Sequence, residues 1–237
     1  MKLLLPSIVL LFLLSGCTFT RSQAKSTEEM LEQMTTTVYY ELPQPQKIGR
    51  ISVEEALTNR RSKRNFTDEA LSQNELSQIL WAAYGVTNER GFRTTPSAGA
   101  LYPLEIFIVI GNVEGIEDGI YRYIATENKI VQVKSGDFRR ELQAVSLNQN
   151  SVGSAPIALI YTAVFARMTE RYGARGKERY TYFEIGHSAQ NVYLQAVSLN
   201  LGTVAVGAFN DDGVRELLRL PDGVEPRYIL PVGVSHP

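Results

Sequence analysis

The stretch Pro156-Ile157-Ala158-Leu159-Ile160-Tyr161-Thr162-Ala163-Val164-Phe165 is almost continuously apolar. It shows no polar alternation, so it suits a central strand buried on both faces. The rest of the chain has to supply whatever covers it.

Other segments announce themselves by spacing. Ser52 with Glu55 and Ser72 with Glu75 mark two helix starts by capping-box chemistry. Val53 to Thr58 follows the first, and Leu76, Ile79, Leu80 and Ala83 recur at helical spacing after the second until Gly85. Ile185, Ala189, Val192, Tyr193, Ala196 and Val197 form one side of a long helix that Gly202 is placed to end, and Asp211 or Asp212 can cap a helix over Val214 to Leu220. Asp137 to Leu147 can be a further capped helix. Glu105 to Gly111, Thr203 to Phe209 and Tyr228 to Val234 read as strands. Ile120 to Ala125 and Lys129 to Lys134 read as a partly exposed hairpin around Glu127-Asn128. Residues 167 to 177 fit either a helix or a loop. Helices and strands without strict alternation predict an α+β fold.

The start of the chain differs from the body. After Lys2, the apolar run Leu3 to Leu14 is short for a membrane span and leads into Leu14-Ser15-Gly16-Cys17. This resembles a bacterial lipoprotein signal, which predicts export and a lipid on Cys17, with the choice of membrane open. Cys17 is the only cysteine, so the body has neither a disulfide nor a thiolate nucleophile. Residues 18 to 46 are polar, with a possible short helix over Thr27 to Met34 and prolines at 43 and 45, and read as a flexible tether. Residues 47 to 237 then form one domain. A net charge of -1 argues against a general affinity for nucleic acid.

Within that balance one run stands out, Arg60-Arg61-Ser62-Lys63-Arg64-Asn65-Phe66. Guanidinium groups around a hydroxyl suit a phosphate, although arginines at a helix end also favour the helix dipole. Pro96, Ser97, Ala98 and Gly99 open a loop closed by Pro103, and Val206, Gly207 and Ala208 follow a strand-like run where backbone could meet a flat ring. With Gly119-Ile120-Tyr121-Arg122-Tyr123 and Glu184-Ile185-Gly186-His187-Ser188-Ala189-Gln190-Asn191, these segments resemble the nitroreductase family, and within it the SagB-type, azoline oxidase-like dehydrogenases.

The resemblance implies a central mixed or antiparallel sheet flanked by helices, and a homodimer with FMN at the subunit interface. It implies that Arg60, Arg61, Ser62 and Arg64 hold the phosphate and pyrimidine edge. Pro96, Ser97, Ala98 and Gly99 would line the flavin from the partner subunit, and the Val206-Gly207-Ala208 backbone would face N5. The activity implied is hydride transfer between FMN and a small organic substrate. Tyr172 falls where azoline oxidases carry the tyrosine of a Lys-Tyr pair, but Arg171 replaces the lysine, and arginine is a poor base. Glu184 and His187, three apart, could share a hydrogen bond. No metal site is expected. The chain also departs from the family by ending Val234-Ser235-His236-Pro237, without a Lys or Arg there. Two alternatives stay open: a flavin-free scaffold lipoprotein, and a cytoplasmic NAD(P)H-dependent nitroreductase.

Overall fold

In the computed structural model, residues 25–30 and 38–236 are described. The proposed leader, Cys17 and much of the tether lie outside them. Seven strands form one antiparallel sheet: β1 (Tyr39–Glu41), β2 (Leu104–Ile110), β3 (Gly119–Ile124), β4 (Lys129–Ser135), β5 (Ile157–Val164), β6 (Gly202–Thr203) and β7 (Val224–Gly233), in the order β1-β4-β3-β2-β5-β7-β6. All of β5 is buried between β2 and β7, as its apolar run requires.

The pleat divides the core in two. Ile106, Ile108 and Ile110 point toward α2 (Gln73–Tyr84) and the long helix α6 (Thr181–Ser198). Phe107 and Val109 point the other way, toward α3 (Arg139–Val145), α4 (Asn150–Ser154) and α7 (Asp211–Leu218). Truncating a fully buried member such as Leu80 to Ala would cost about 2–5 kcal/mol.

Ser52 caps α1 (Val53–Asn59) and a complete Ser72–Glu75 capping box starts α2. Several local expectations give way to tertiary context. Tyr121 and Tyr123 are buried rather than partly exposed, because α2 covers their face of the sheet. Asn210, not Asp211 or Asp212, caps α7, and Phe138 rather than Asp137 precedes α3. Leu199 caps α6; Gly202 instead pairs with Gly233, where a side chain would strike Lys63 and Ser235. The strand expected over 203–209 keeps only Thr203 in a ladder, with an isolated bridge from Val206 to Ile229. Phe165–Tyr172 is helix α5, joined to α6 through a π-helical turn over Gly176–Tyr180.

The domain also begins earlier than residue 47. Tyr39–Glu41 pairs with β4, Leu42 is buried, and the Asn128 side chain donates to the carbonyls of Leu42 and Pro43. Gln46 and Gln78 exchange hydrogen bonds. The tether reading fails at 38–46 because β4 offers an open edge that the two tyrosines can fill.

Candidate active site

The basic run leaves α1 and passes along the edge of the sheet. Ser62 bridges Thr203, the Lys63 N–H donates to the Thr203 carbonyl at 2.9 Å, and Phe66 pairs with Ser235. These contacts carry the run past the start of the 204–210 loop. The His236 N–H donates to the Asn65 carbonyl, so the C-terminal residues lie alongside the same run.

Tyr193 of α6 joins the pieces. Its hydroxyl is 3.2 Å from Ser62 Oγ and accepts the Ala205 N–H at 2.8 Å, while the Arg60 guanidinium lies 5.2 Å over its ring. Read from sequence, Tyr193 is simply a member of the buried stripe of a helix. A hydroxyl in that stripe is the one signal of its second task, since a buried phenol needs a partner.

The expected anion-binding cations separate into two groups. Arg60 and Arg64 have no ion-pair partner among the described residues, and Arg64 is exposed beside Ser62. Arg61 behaves differently: its guanidinium turns back onto the carbonyls of Thr58 and Arg60. It caps the end of α1, the ordinary use of an arginine at a helix C-terminus.

In the 206–208 segment, Val206 is also occupied. Its N–H donates to Ile229 and its carbonyl accepts from Ile229. The donors left for a ligand are Gly207 and Ala208, both exposed, with the Ala208 carbonyl held by Gln149 at 2.9 Å. A Cβ on Gly207 would find only Tyr228, 3.8 Å away, so the glycine leaves the backbone approachable.

The second expected loop lies toward the other end of α6. Ser97 Oγ accepts the Tyr102 N–H at 2.9 Å, and Gly99 holds φ 63° in the left-handed region. A Cβ there would lie 2.7 Å from Tyr172 Oη and 3.1 Å from a terminal nitrogen of Arg171. Tyr172 therefore stands against Gly99 of its own chain, and Tyr180 packs edge-on to it at 5.0 Å. Thr95 is buried, Pro96 and Gly99 are exposed, and Ser97 and Ala98 are half-buried between them.

Behind this loop sits Glu184, 1% exposed. It accepts from the Tyr84 hydroxyl, and its Oε2 is buried without a hydrogen-bond partner. Burial pushes its carboxyl upward, opposed by the Ser97 and Tyr84 hydroxyls and the cations Arg93 and Arg167. The same burial, with the Glu184 charge, holds the Tyr84 phenol well above the ordinary range, so it remains a donor. His187 is exposed and makes no bond to Glu184; Asn191 instead donates to Thr94 and Thr95 and ties α6 to the loop.

Tyr193 and Glu184 are nine residues apart on one helix, roughly 13 Å along its axis. The chain thus presents an open, cation-bearing surface at one end of α6 and a loop backed by the buried Glu184 at the other.

Residues 57–234 match the nitroreductase family model, and the chain belongs to that family. Its class is accordingly that of an oxidoreductase. Over 200 residues it is 47% identical to MJ1384 of Methanocaldococcus jannaschii, which carries a provisional nitroreductase name; the match spans 84% of this chain and 98% of that one. A solved structure from Ralstonia eutropha, described as a nitroreductase on the same provisional footing, superposes with TM-score 0.75 at 28% identity, over 84% of this chain and 90% of the other. The trifolitoxin-processing protein TfxB of Rhizobium leguminosarum bv. trifolii is 29% identical over 59% of this chain, a match that spans 38% of TfxB.

Proposed function

We propose that the protein is a homodimeric FMN-dependent oxidoreductase that moves a hydride between the flavin and a small organic substrate. The observation that carries this reading is the Tyr193 bridge, which sets Arg60 and Ser62 beside the Ala205–Ala208 backbone. Two uncommitted guanidiniums and a hydroxyl suit a phosphate, and exposed N–H groups at Gly207 and Ala208 suit the edge of a flat ring. The residues present therefore fit FMN.

When bound, FMN supplies a hydride acceptor and donor at N5. Arg60, Ser62 and Arg64 bind and orient its phosphate end. Gly207 or Ala208 offers a backbone donor where negative charge builds up during transfer. Val206 and Arg61 leave that set, since their donors are already used within the chain. The phenol of Tyr172, close to Gly99, is placed to hand a proton to substrate.

Pro96, Ser97, Ala98 and Gly99 complete the pocket from the second copy of the chain. The exposed outer side of α6, with Tyr182, Phe183 and Gly186 beside the polar His187 and Gln190, and exposed Val53 and Leu57 on α1 supply a partly apolar face for that copy. Similarity to TfxB supports reading the chain toward the SagB-type branch, but Arg171 in place of lysine argues for a dehydrogenase that does not use a lysine base.

From residues 1–17 we further infer export and lipid attachment at Cys17, which makes NAD(P)H a poor reductant in place. Mass spectrometry of the mature N-terminus tests this, with an acylated Cys17 expected. The main test is flavin content. Purified protein should be yellow with one FMN per chain, and Arg60→Ala should lose it; a colourless protein that takes up no FMN overturns the reading in favour of a scaffold.

A further inference from the structure

Away from the Tyr193 bridge, a cavity of about 320 Å³ opens between the edge of β2–β3, the end of α2 and α5. Three guanidiniums line it, those of Arg93, Arg122 and Arg167, together with the carboxylates of Glu105 and Glu28. Nothing in the flavin reading uses it.

Glu105 is shared. One oxygen lies 2.7 Å from Arg167 and the other 3.5 Å from Arg122. Arg93 has no carboxylate partner among the described residues and lies over the rings of Tyr84 and Tyr102, at 4.1 and 4.7 Å. Arg122 is 8% exposed, yet its Nε is buried with no hydrogen-bond partner. That nitrogen is shielded from the cavity, so Arg122 meets an anion there through the outer part of its guanidinium, which Glu105 opposes only at 3.5 Å.

The remaining carboxylate comes from residues 25–30, a short helical segment remote in sequence from the cavity. Glu28 grips Arg167 in a two-pronged pair, 2.5 Å to Nε and 2.7 Å to the terminal nitrogen. Its side chain is 43% exposed against 18% for Arg167, so it closes the mouth of the cavity without filling it. Thr27 anchors the segment through a hydrogen bond to the Asp222 carbonyl. Without Glu28, three cations would face the single carboxylate of Glu105.

We propose that this cavity is a binding site for a small dicarboxylate, and that Glu28 holds its outer guanidinium in cis until the ligand displaces it. One carboxylate takes over the fork on Arg167, and the other reaches Arg93 and the outer part of the Arg122 guanidinium. The volume falls at the lower end of the range for small-molecule sites, roughly 300–1,000 Å³, which suits a ligand of a few carbons. Arg167 also donates to the Tyr102 carbonyl at 2.9 Å, and Tyr102 donates to Ser97, so occupancy is mechanically joined to the loop that faces Tyr172.

The test is calorimetric titration of the full-length chain with succinate at low ionic strength. Glu28→Gln should bind succinate about tenfold more tightly than wild type, and adding Arg93→Gln should weaken that binding by about tenfold or more. Arg93 has no carboxylate to strand, so this second variant tests the site without breaking an ion pair. In the wild-type chain, saturating succinate should speed hydrogen exchange in residues 25–30. Succinate that binds Glu28→Gln no better than wild type, or with equal affinity once Arg93 is replaced, overturns the proposal. Neither outcome depends on flavin, so failure here leaves the oxidoreductase reading standing.

Discussion

The two ends of α6 solve opposite problems. Around Tyr193 the groups are exposed or half-buried and held mainly by backbone and one hydroxyl, and Arg60 and Arg64 have no ion-pair partner among the described residues. Around Glu184 the carboxyl and Tyr84 are buried, and the more accessible Ser97, Gly99 and Tyr172 are held against other groups of the same chain. One end offers the groups that the proposed FMN phosphate site needs, and the other holds a loop in shape. Cations can stay available only where water solvates them, whereas a strained loop persists only where packing over-determines it.

The sharpest way to break this contrast is at Gly99. Gly99→Val puts a branched side chain at positive φ and against Tyr172, so stability should fall by about 2–3 kcal/mol in a denaturant titration. Arg60→Ala should do the reverse: FMN binding about 10- to 100-fold weaker by fluorescence titration, with stability within about 0.5 kcal/mol of wild type. If both variants lost stability and kept FMN affinity, the division between a binding end and a holding end would be wrong.

Tyr193→Phe probes the link itself. It removes the acceptor for the Ala205 N–H and should cost about 1 kcal/mol, with a parallel loss of FMN affinity because Ser62 is no longer tied to the loop. Glu184→Gln sharpens the comparison through pH. Burial raises this carboxyl above its ordinary 4.5, so the folded state favours the protonated form. The associated stability is complete below pH 4.5 and is lost as pH rises through the folded value. Relative to the glutamine variant, wild type should therefore lose stability as pH rises above 4.5, measured as the shift in denaturant midpoint. The smallest effect belongs to Arg61→Ala, whose guanidinium only caps α1: FMN affinity should be unchanged and stability within about 0.5 kcal/mol.

Much of the scaffold was legible in advance because it follows from periodicity. The run at 157–164 could only be a doubly buried strand, and the stripe from Ile185 to Ala196 could only be a packed helix. Arg60, Ser62 and Gly207 were singled out as candidates by chemical type. What spacing could not separate was Arg60 from Arg61, adjacent guanidiniums that face a potential ligand and a helix end respectively. Nor could it tell Val206, spent on Ile229, from Gly207 next to it. Gly202 and Tyr39–Glu41 were misjudged for a related reason: each finds its role in a strand partner distant in the chain, Gly233 and β4.

By itself, then, the sequence determined the central strand, the main helices with their apolar stripes, and which side chains could hold an anion. Those properties are set by neighbours within a few residues. Only the tertiary structure decided which donors were already used, that Tyr193 joins the basic run to the glycine loop, and that Glu28 reaches Arg167 across the fold. Hydrogen-bond and ion-pair partners are chosen by distance in space, and contacts between residues this far apart in the chain exist only once the sheet has closed around β5.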